Sequence, residues 1–388
     1  MKKTILLIDI ISHETMHIPF NEGYIRTMRS AFPDDEIIFA ATAGHIDNMD
    51  QNLTEEFNIK MVKIPNLRDL LKGKSPHSPF FSLPAAKKCW SNVQTLAQGR
   101  SIRLASILGS IGPVIHTFSR KWNKSYSGEL HFIQHDQFAR VNSWRSKNPI
   151  IKYFDYLSVL RRGLPERQKL IVLELGLKEM LSKYAPKLIP SILTIEHPVL
   201  ESEWLLAKPF NSSEPINVGF VGHCGKGKGF DKFLSLAEKF SGDKYKFFAI
   251  GKSNIRPEDN LSLQGLTVLP SDGYLPRKNF IDLLNQIDII CLPLPVNQSF
   301  VSSGSIIDAF AGLKPLIITE NQSLNAIQDK YGEFGKIVKN QDELDTFFDE
   351  FSAKDFIDNM QKWQSTLKNI RKFRSEKELG KVIAQEVK

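Results

Sequence analysis

The chain has 388 residues, 41% hydrophobic and 24% charged, a balance that excludes a disordered or fibrous protein and is long enough for two cores of ordinary size. Three scattered cysteines, Cys89, Cys224 and Cys291, have neither disulfide nor zinc spacing, and no apolar run approaches the roughly 18 residues that cross a bilayer, so a reduced cytoplasmic protein is expected. The net charge of +8 is local: residues 60–170 hold 20 Lys and Arg against 5 Asp and Glu while the rest is net negative, which points that half at an anionic partner.

In chain order, Met1-Lys2-Lys3 leads into a short apolar run before Asp9, too brief for a signal peptide core. Thr4–Ile10 reads as a strand. Phe20–Phe32 reads as a helix, with Tyr24, Ile25, Met28 and Phe32 at helical spacing, and Glu36–Ala41 as a second strand. The loop after the first strand carries His13, Glu14 and His17. Beyond Ala41 the pattern loosens, and strands return at Leu130–Gln134, Lys169–Leu173 and Ser191–Ile195. His135 and Asp136 follow the first of these, at a strand end where catalytic groups of α/β folds collect. With His17, they are the candidates to receive a proton from a hydroxyl nucleophile. Aromatic and basic residues interleave in Ser78-Pro79-Phe80-Phe81 and in Ile150–Arg162. The second segment is expected either as a membrane-interface stretch or as a buried helix with a solvated end. Glu196-His197-Pro198 leads into a polar, proline-bracketed stretch, 200–215, that is expected to link two domains, 1–199 and 216–375, with 376–388 a tail or helix end.

The second half opens on Val218-Gly219-Phe220-Val221-Gly222-His223-Cys224-Gly225-Lys226-Gly227-Lys228-Gly229, β-formers that stop in a Gly/Lys loop ahead of the helical run Phe230–Phe240. Glycines allow close backbone approach, and a helix N-terminus presents N–H groups to an anion, so the order suits a phosphate. Gly222, Gly227 and Lys228 fit GxxxxGK, but Gly229 stands where a magnesium-binding Ser or Thr belongs, which disfavours a nucleoside triphosphatase. Downstream, Ile287–Pro293 reads as a strand, Ser302–Gly312 as a small-residue loop and helix, and Pro315–Thr319 as a strand. Ser303, Gly304 and Ser305 would put a second helix N-terminus at the same sheet edge. Asp308, one turn in, can accept hydrogen bonds from a ribose diol or simply complement the helix dipole.

These motifs resemble the donor-binding domain of GT-B glycosyltransferases, especially the group related to family 4, over about residues 215–375. Gly222–Gly229 matches that group's GRLxxxKG loop with His223 at the Arg position and Lys228 at the Lys position. Asp308-Ala309-Phe310-Ala311 with Pro315 matches its EAMAxGxPVV helix, Asp replacing the ribose-binding Glu, and Lys246–Gly251 matches its second strand. The resemblance implies an α/β protein of two Rossmann-like domains facing a cleft. Its implied donor-binding residues are Gly222, His223, Lys226, Lys228, Ser303, Gly304, Ser305 and Asp308. One departure is large: the group's second Glu, eight residues before the helix Glu, is Phe300 here, so its stereochemical course does not carry over.

The implied activity is transfer of a sugar from a nucleotide-sugar donor, a substrate rather than a cofactor, to a glycan or lipid-linked acceptor in bacterial surface polysaccharide or lipopolysaccharide assembly. No clustered Asp motif suggests a metal, no cofactor is expected, and no recognition helix, zinc or RNP signature suggests nucleic acid. The basic aromatic half suggests an anionic membrane surface as a further partner, on the inner face of the plasma membrane. Alternatives of other classes are a GT-B-fold nucleotide-sugar epimerase and a non-catalytic GT-B partner subunit.

Overall fold

A computed structural model describes residues 2–387 except 77, 136–146, 208–213, 256–258, 260, 274 and 296–302. The chain divides into two compact units, Met1–Leu200 with Arg374–Lys388, and Glu201–Phe373.

The first unit is built on seven parallel strands: β1 (Thr4–Ile8), β2 (Glu36–Ala41), β3 (Ile59–Lys63), β4 (Ile102–Leu108), β5 (Glu129–Gln134), β6 (Gln168–Val172) and β7 (Ile192–Thr194), in the order β3-β2-β1-β4-β5-β6-β7. Parallel strands need crossovers, here mostly helical, that cover the sheet, so the central strands are apolar throughout; every residue of β1 is buried. The first helix, Ile18–Ala31, presents Tyr24, Ile25 and Met28 to this core. β3 and β4 were not foreseen. Lys60 and Lys63 give β3 a mixed pattern because it lies at a sheet edge. β4 is central, but its apolar run is broken by Arg103, which pairs with Asp35 at 2.6 Å, and by buried Ser106, whose hydroxyl lies 3.2 Å from that of Tyr24.

Ile150–Arg162 is neither a single interfacial helix nor a single buried one. Asp155 breaks it into helices Pro149–Phe154 and Tyr156–Arg161, its carboxylate capping the second by accepting from the Leu157 and Ser158 amides. Ile150 and Tyr153 on the first are about half exposed, while Leu157, Val159 and Leu160 on the second are buried. Residues 376–387, expected as a tail or helix end, form the helix Glu376–Glu386, and Leu379, Ile383 and Val387 complete the core around Ile25 and Met28.

The second unit has six parallel strands: β8 (Ile216–Val221), β9 (Tyr245–Ile250), β10 (Leu266–Val268), β11 (Ile289–Leu292), β12 (Leu316–Thr319) and β13 (Gly335–Val338), in the order β10-β9-β8-β11-β12-β13. The order reverses direction at β8, between β9 and β11, and such a switch point is where open parallel sheets bind ligands, beyond the carboxyl ends of the strands. Of the stretch 200–215, the part around Glu203 and Leu205 belongs to this unit. The Leu205 amide donates to the Ala311 carbonyl at 3.1 Å, and Glu203 accepts from Arg277. No helix among the described residues is long and apolar enough to cross a membrane.

Candidate functional site

Gly222 follows directly on β8, and its φ of 108° suits glycine. A side chain there would also strike the Ser305 hydroxyl, 2.6 Å from an added Cβ, and one at Gly251, after β9, would strike the Gly222 carbonyl at 1.9 Å. The backbones converge because nothing stands between them. The chain then makes one 3-10 turn, Lys226–Lys228, and reverses at Gly229 into the helix Phe230–Phe240. At Gly229, φ is 78° and an added Cβ would lie 1.9 Å from the Pro293 carbonyl.

The second helix N-terminus arrives where the sequence placed it. Helix Gly304–Gly312 follows β11, and its Ser305 hydroxyl donates to the Val221 carbonyl at 2.7 Å, tying the helix start to the end of β8. The Gly304 and Ser305 amides, in the first turn, have no intrahelical partner, and neither meets another acceptor among the described residues. Gly304 is exposed with open space around it, whereas Ser303 is buried.

Around this edge stand several basic groups. His223 is exposed on the loop, and desolvation there, then the charges of Lys228 and Lys252, lower its pKa below the usual imidazole value. At neutral pH the ring is therefore uncharged until an anion arrives to favour its proton. Lys252, which sequence reasoning did not single out, follows directly on Gly251. Lys226 is partly occupied by Asp259, 3.5 Å away.

Asp308 is not a lone carboxylate at a helix start. The Arg277 guanidinium donates to it at 2.8 Å and to Glu203 at 2.6 and 2.5 Å, so one cation sits between two acids. Burial outweighs the pull of Arg277, and with Glu203 nearby the Asp308 carboxyl is pushed up to about 6. Arg277 and Glu203 are the residues here that the sequence concealed.

In the first unit, the groups beyond β1 form a polar cluster. Asp9, buried, accepts from the Ile11 and Ser12 amides at 2.9 and 2.8 Å and from the Asn21 amide at 2.7 Å. Asn21 also meets His45 Nε2 at 2.8 Å, while His45 Nδ1 lies 2.9 Å from the Glu14 carbonyl. A carbonyl only accepts, so Nδ1 carries the proton, and Nε2 accepts from the Asn21 Nδ2 amide, so the ring is neutral. Burial, the largest influence on His45, lowers its pKa in the same sense. The loop is held in strained backbone, with Glu14 at φ 46° and His17 at φ 60°. Half-buried His17 has Nδ1 3.2 Å from the Ser12 hydroxyl, and its ring stacks on His135 with centroids 4.4 Å apart. His135 is buried against Phe20, and burial first, then His17 and His197, hold its pKa well below the usual value. Phe20 also meets buried His197, whose Nδ1 donates to the Pro198 carbonyl at 2.9 Å and whose pKa burial drives down to about 3. The structure thus brings His17 and His135 together; Asp136, Phe300 and its neighbours lie outside the described residues.

No protein-family profile and no curated protein matches the sequence. Solved structures do match over the whole chain. A glycosyltransferase from Rickettsia africae is similar with a TM-score of 0.66 at 15% identity, covering 100% of this chain and 98% of that one. HepE from Anabaena, solved with UDP and glucose, has a TM-score of 0.64 at 12% identity and 99% coverage of both chains. WaaG, a glycosyltransferase involved in lipopolysaccharide biosynthesis, has 0.59 at 11% identity and 99% of both. Likeness at such identities is a likeness of fold, and together with the two parallel sheets it establishes that this chain has the GT-B fold.

Proposed function

We propose that the protein is a glycosyltransferase that moves a sugar from a nucleotide-sugar donor to a glycan or lipid-linked acceptor in bacterial surface polysaccharide or lipopolysaccharide assembly. It acts without a metal or cofactor, as a cytoplasmic protein peripheral to the inner membrane face. The observation that carries this is the end of β8. There the glycine loop, His223, Lys228, Lys252 and the open Gly304 and Ser305 amides converge within one unit at its topological switch point.

In this reading the diphosphate lies against Gly222 and the amides of Gly304 and Ser305, and Lys228, Lys252 and protonated His223 offset the charge that develops on it as the glycosidic bond breaks. Asp308 accepts from the ribose diol. Half-exposed His17 receives the acceptor's proton if configuration inverts, since burial makes His135 a poor place for a charge. The neighbouring structures named above, one with UDP and glucose and one acting in lipopolysaccharide biosynthesis, agree with the donor class and the setting.

A calorimetric screen of UDP-, GDP-, ADP-, dTDP- and CMP-sugars tests the reading. One donor class binds, chelator leaves it bound, and Lys228→Ala weakens it by about 1.5 to 3 kcal/mol with the melting temperature unchanged, the loss of one charge-assisted contact. Failure of every donor to bind overturns the proposal. Turnover without acceptor identifies an epimerase instead, and saturable binding with no turnover on any acceptor identifies a silent partner subunit.

A further inference from the structure

The first unit also has a polar cavity, set among its helices. It encloses about 360 Å³ between helix Gly112–Ser125, which supplies His116, Ser119 and Arg120, helix Pro149–Phe154, which supplies Tyr153, and Arg162, which caps helix Tyr156–Arg161. Among the described residues no carboxylate lines it. Neither Arg120 nor Arg162 forms an ion pair among the described residues. Arg162 instead lies over the Tyr153 ring at 4.2 Å and donates to the Tyr153 carbonyl at 2.9 Å. The Ser119 hydroxyl oxygen is shut off from solvent and has no hydrogen-bond partner. The pKa of His116 is lowered by burial and then by Arg162 and Arg120, so the lining is an uncompensated positive site.

The rim is apolar. Ile150 and Tyr153 are 52% and 48% exposed on helix Pro149–Phe154. Phe80 and Phe81 are 72% and 46% exposed at the start of helix Pro79–Ala97, which packs against it. Exposed phenylalanines on a helix packed against the cavity's lining helices, with two arginines that form no ion pair among the described residues, suit a partner that offers hydrocarbon and negative charge together. A lipid surface does so; nucleic acid offers charge without hydrocarbon.

We propose that the cavity of His116, Ser119, Arg120 and Arg162 binds the phosphodiester of an anionic glycerophospholipid while Phe80, Phe81, Ile150 and Tyr153 enter the acyl boundary. This deepens the membrane-face part of the proposed function and is independent of the donor site. Arg120 and Arg162 hold the phosphate oxygens, the Ser119 hydroxyl donates to one of them, and the aromatic rim fixes the depth of insertion.

Co-sedimentation of the full chain with phosphatidylcholine vesicles, with and without phosphatidylglycerol, tests it. The wild-type protein partitions onto the anionic vesicles and loses them with salt. Arg120→Glu and Phe80→Ser, each with an unchanged melting temperature, partition about 10-fold or more weakly, whereas Lys368→Glu, an exposed charge reversal in the second unit, changes binding less than about twofold. Folded Arg120→Glu and Phe80→Ser proteins that bind as tightly as wild type overturn the cavity and leave the membrane-face reading standing. Wild-type protein that ignores lipid charge, or that is retained by an oligonucleotide or by inorganic phosphate but not by vesicles, overturns both.

Discussion

At Asp308 the chemistry of a single carboxylate is set by residues far along the chain. Arg277 is 31 positions away from it and Glu203 lies 74 positions from Arg277. No local pattern could announce them, because an isolated Arg at a helix start reads as solvated. The glycines and lysines of the β8 loop were legible for the opposite reason: their purpose is local backbone geometry, which spacing records. Placed between Arg277 and its own burial, Asp308 titrates at about 6, so it is ionised at pH 7.5 and mostly protonated at pH 5. If it accepts from a ribose diol, Asp308→Asn weakens the donor at pH 7.5 by about 1.5 to 3 kcal/mol, and the gap between variant and parent closes as pH falls through 6. Comparing the two proteins cancels the opposite effect of His223, which gains its proton on the same descent. Equal affinities at pH 7.5 would show that the carboxylate serves only Arg277.

At the scale of elements, the strands legible in the sequence were β1, β2, β5, β6, β7, β8, β9, β11 and β12, whose apolar runs spacing records, while β3, β10 and β13, which lie at sheet edges, were not. β4 was hidden by Ser106 and Arg103, polar groups satisfied by Tyr24 and Asp35 from other elements. His17, His135 and His197 were legible in the sequence but their state was not, and His45, which follows β2, was missed. His45, His135 and His197 are all held below the ordinary imidazole value, chiefly by burial. Each is neutral in the fold, while the unfolded chain takes up protons once pH drops under about 6.5. Their contribution is therefore complete above 6.5 and is lost as pH falls toward the folded values, down to about 3 for His197. Asn at 197 can keep a donor for the Pro198 carbonyl and cannot titrate. Urea unfolding at pH 7 and 4.5 should show His197→Asn losing less stability over that interval than wild type, by about 2 to 3 kcal/mol. Parallel losses would mean that the ring finds water or a counter-charge on acidification.

For the whole molecule, the chain's return to its first unit is the feature that decides integrity. Arg374, fully buried, donates to both oxygens of Glu174 at 2.9 and 2.8 Å and lies 3.0 Å from Glu196, and the helix after it adds Leu379, Ile383 and Val387 to the core. Gly380 shows how close that packing is, since a Cβ there would lie 2.8 Å from the Ser30 hydroxyl on the first helix. The first unit is thus incomplete without residues 374–387. Ending the chain at Phe373 strands two buried carboxylates and removes three apolar anchors. Breaking a buried ion pair costs about 3 to 5 kcal/mol and each anchor about 1.5 to 3, which together reach the whole stability of an ordinary domain. Hydrogen exchange on the truncated protein should find the amides of β1, β4 and β5 unprotected while those of β8, β11 and β12 stay protected. The charge component separates in two further variants. Arg374→Met alone loses about 3 to 5 kcal/mol, and adding Glu174→Leu and Glu196→Leu restores most of it, because an apolar triad has no ions left to desolvate. Protection of β1 in the truncated chain would show that the first unit's core closes without its returning helix.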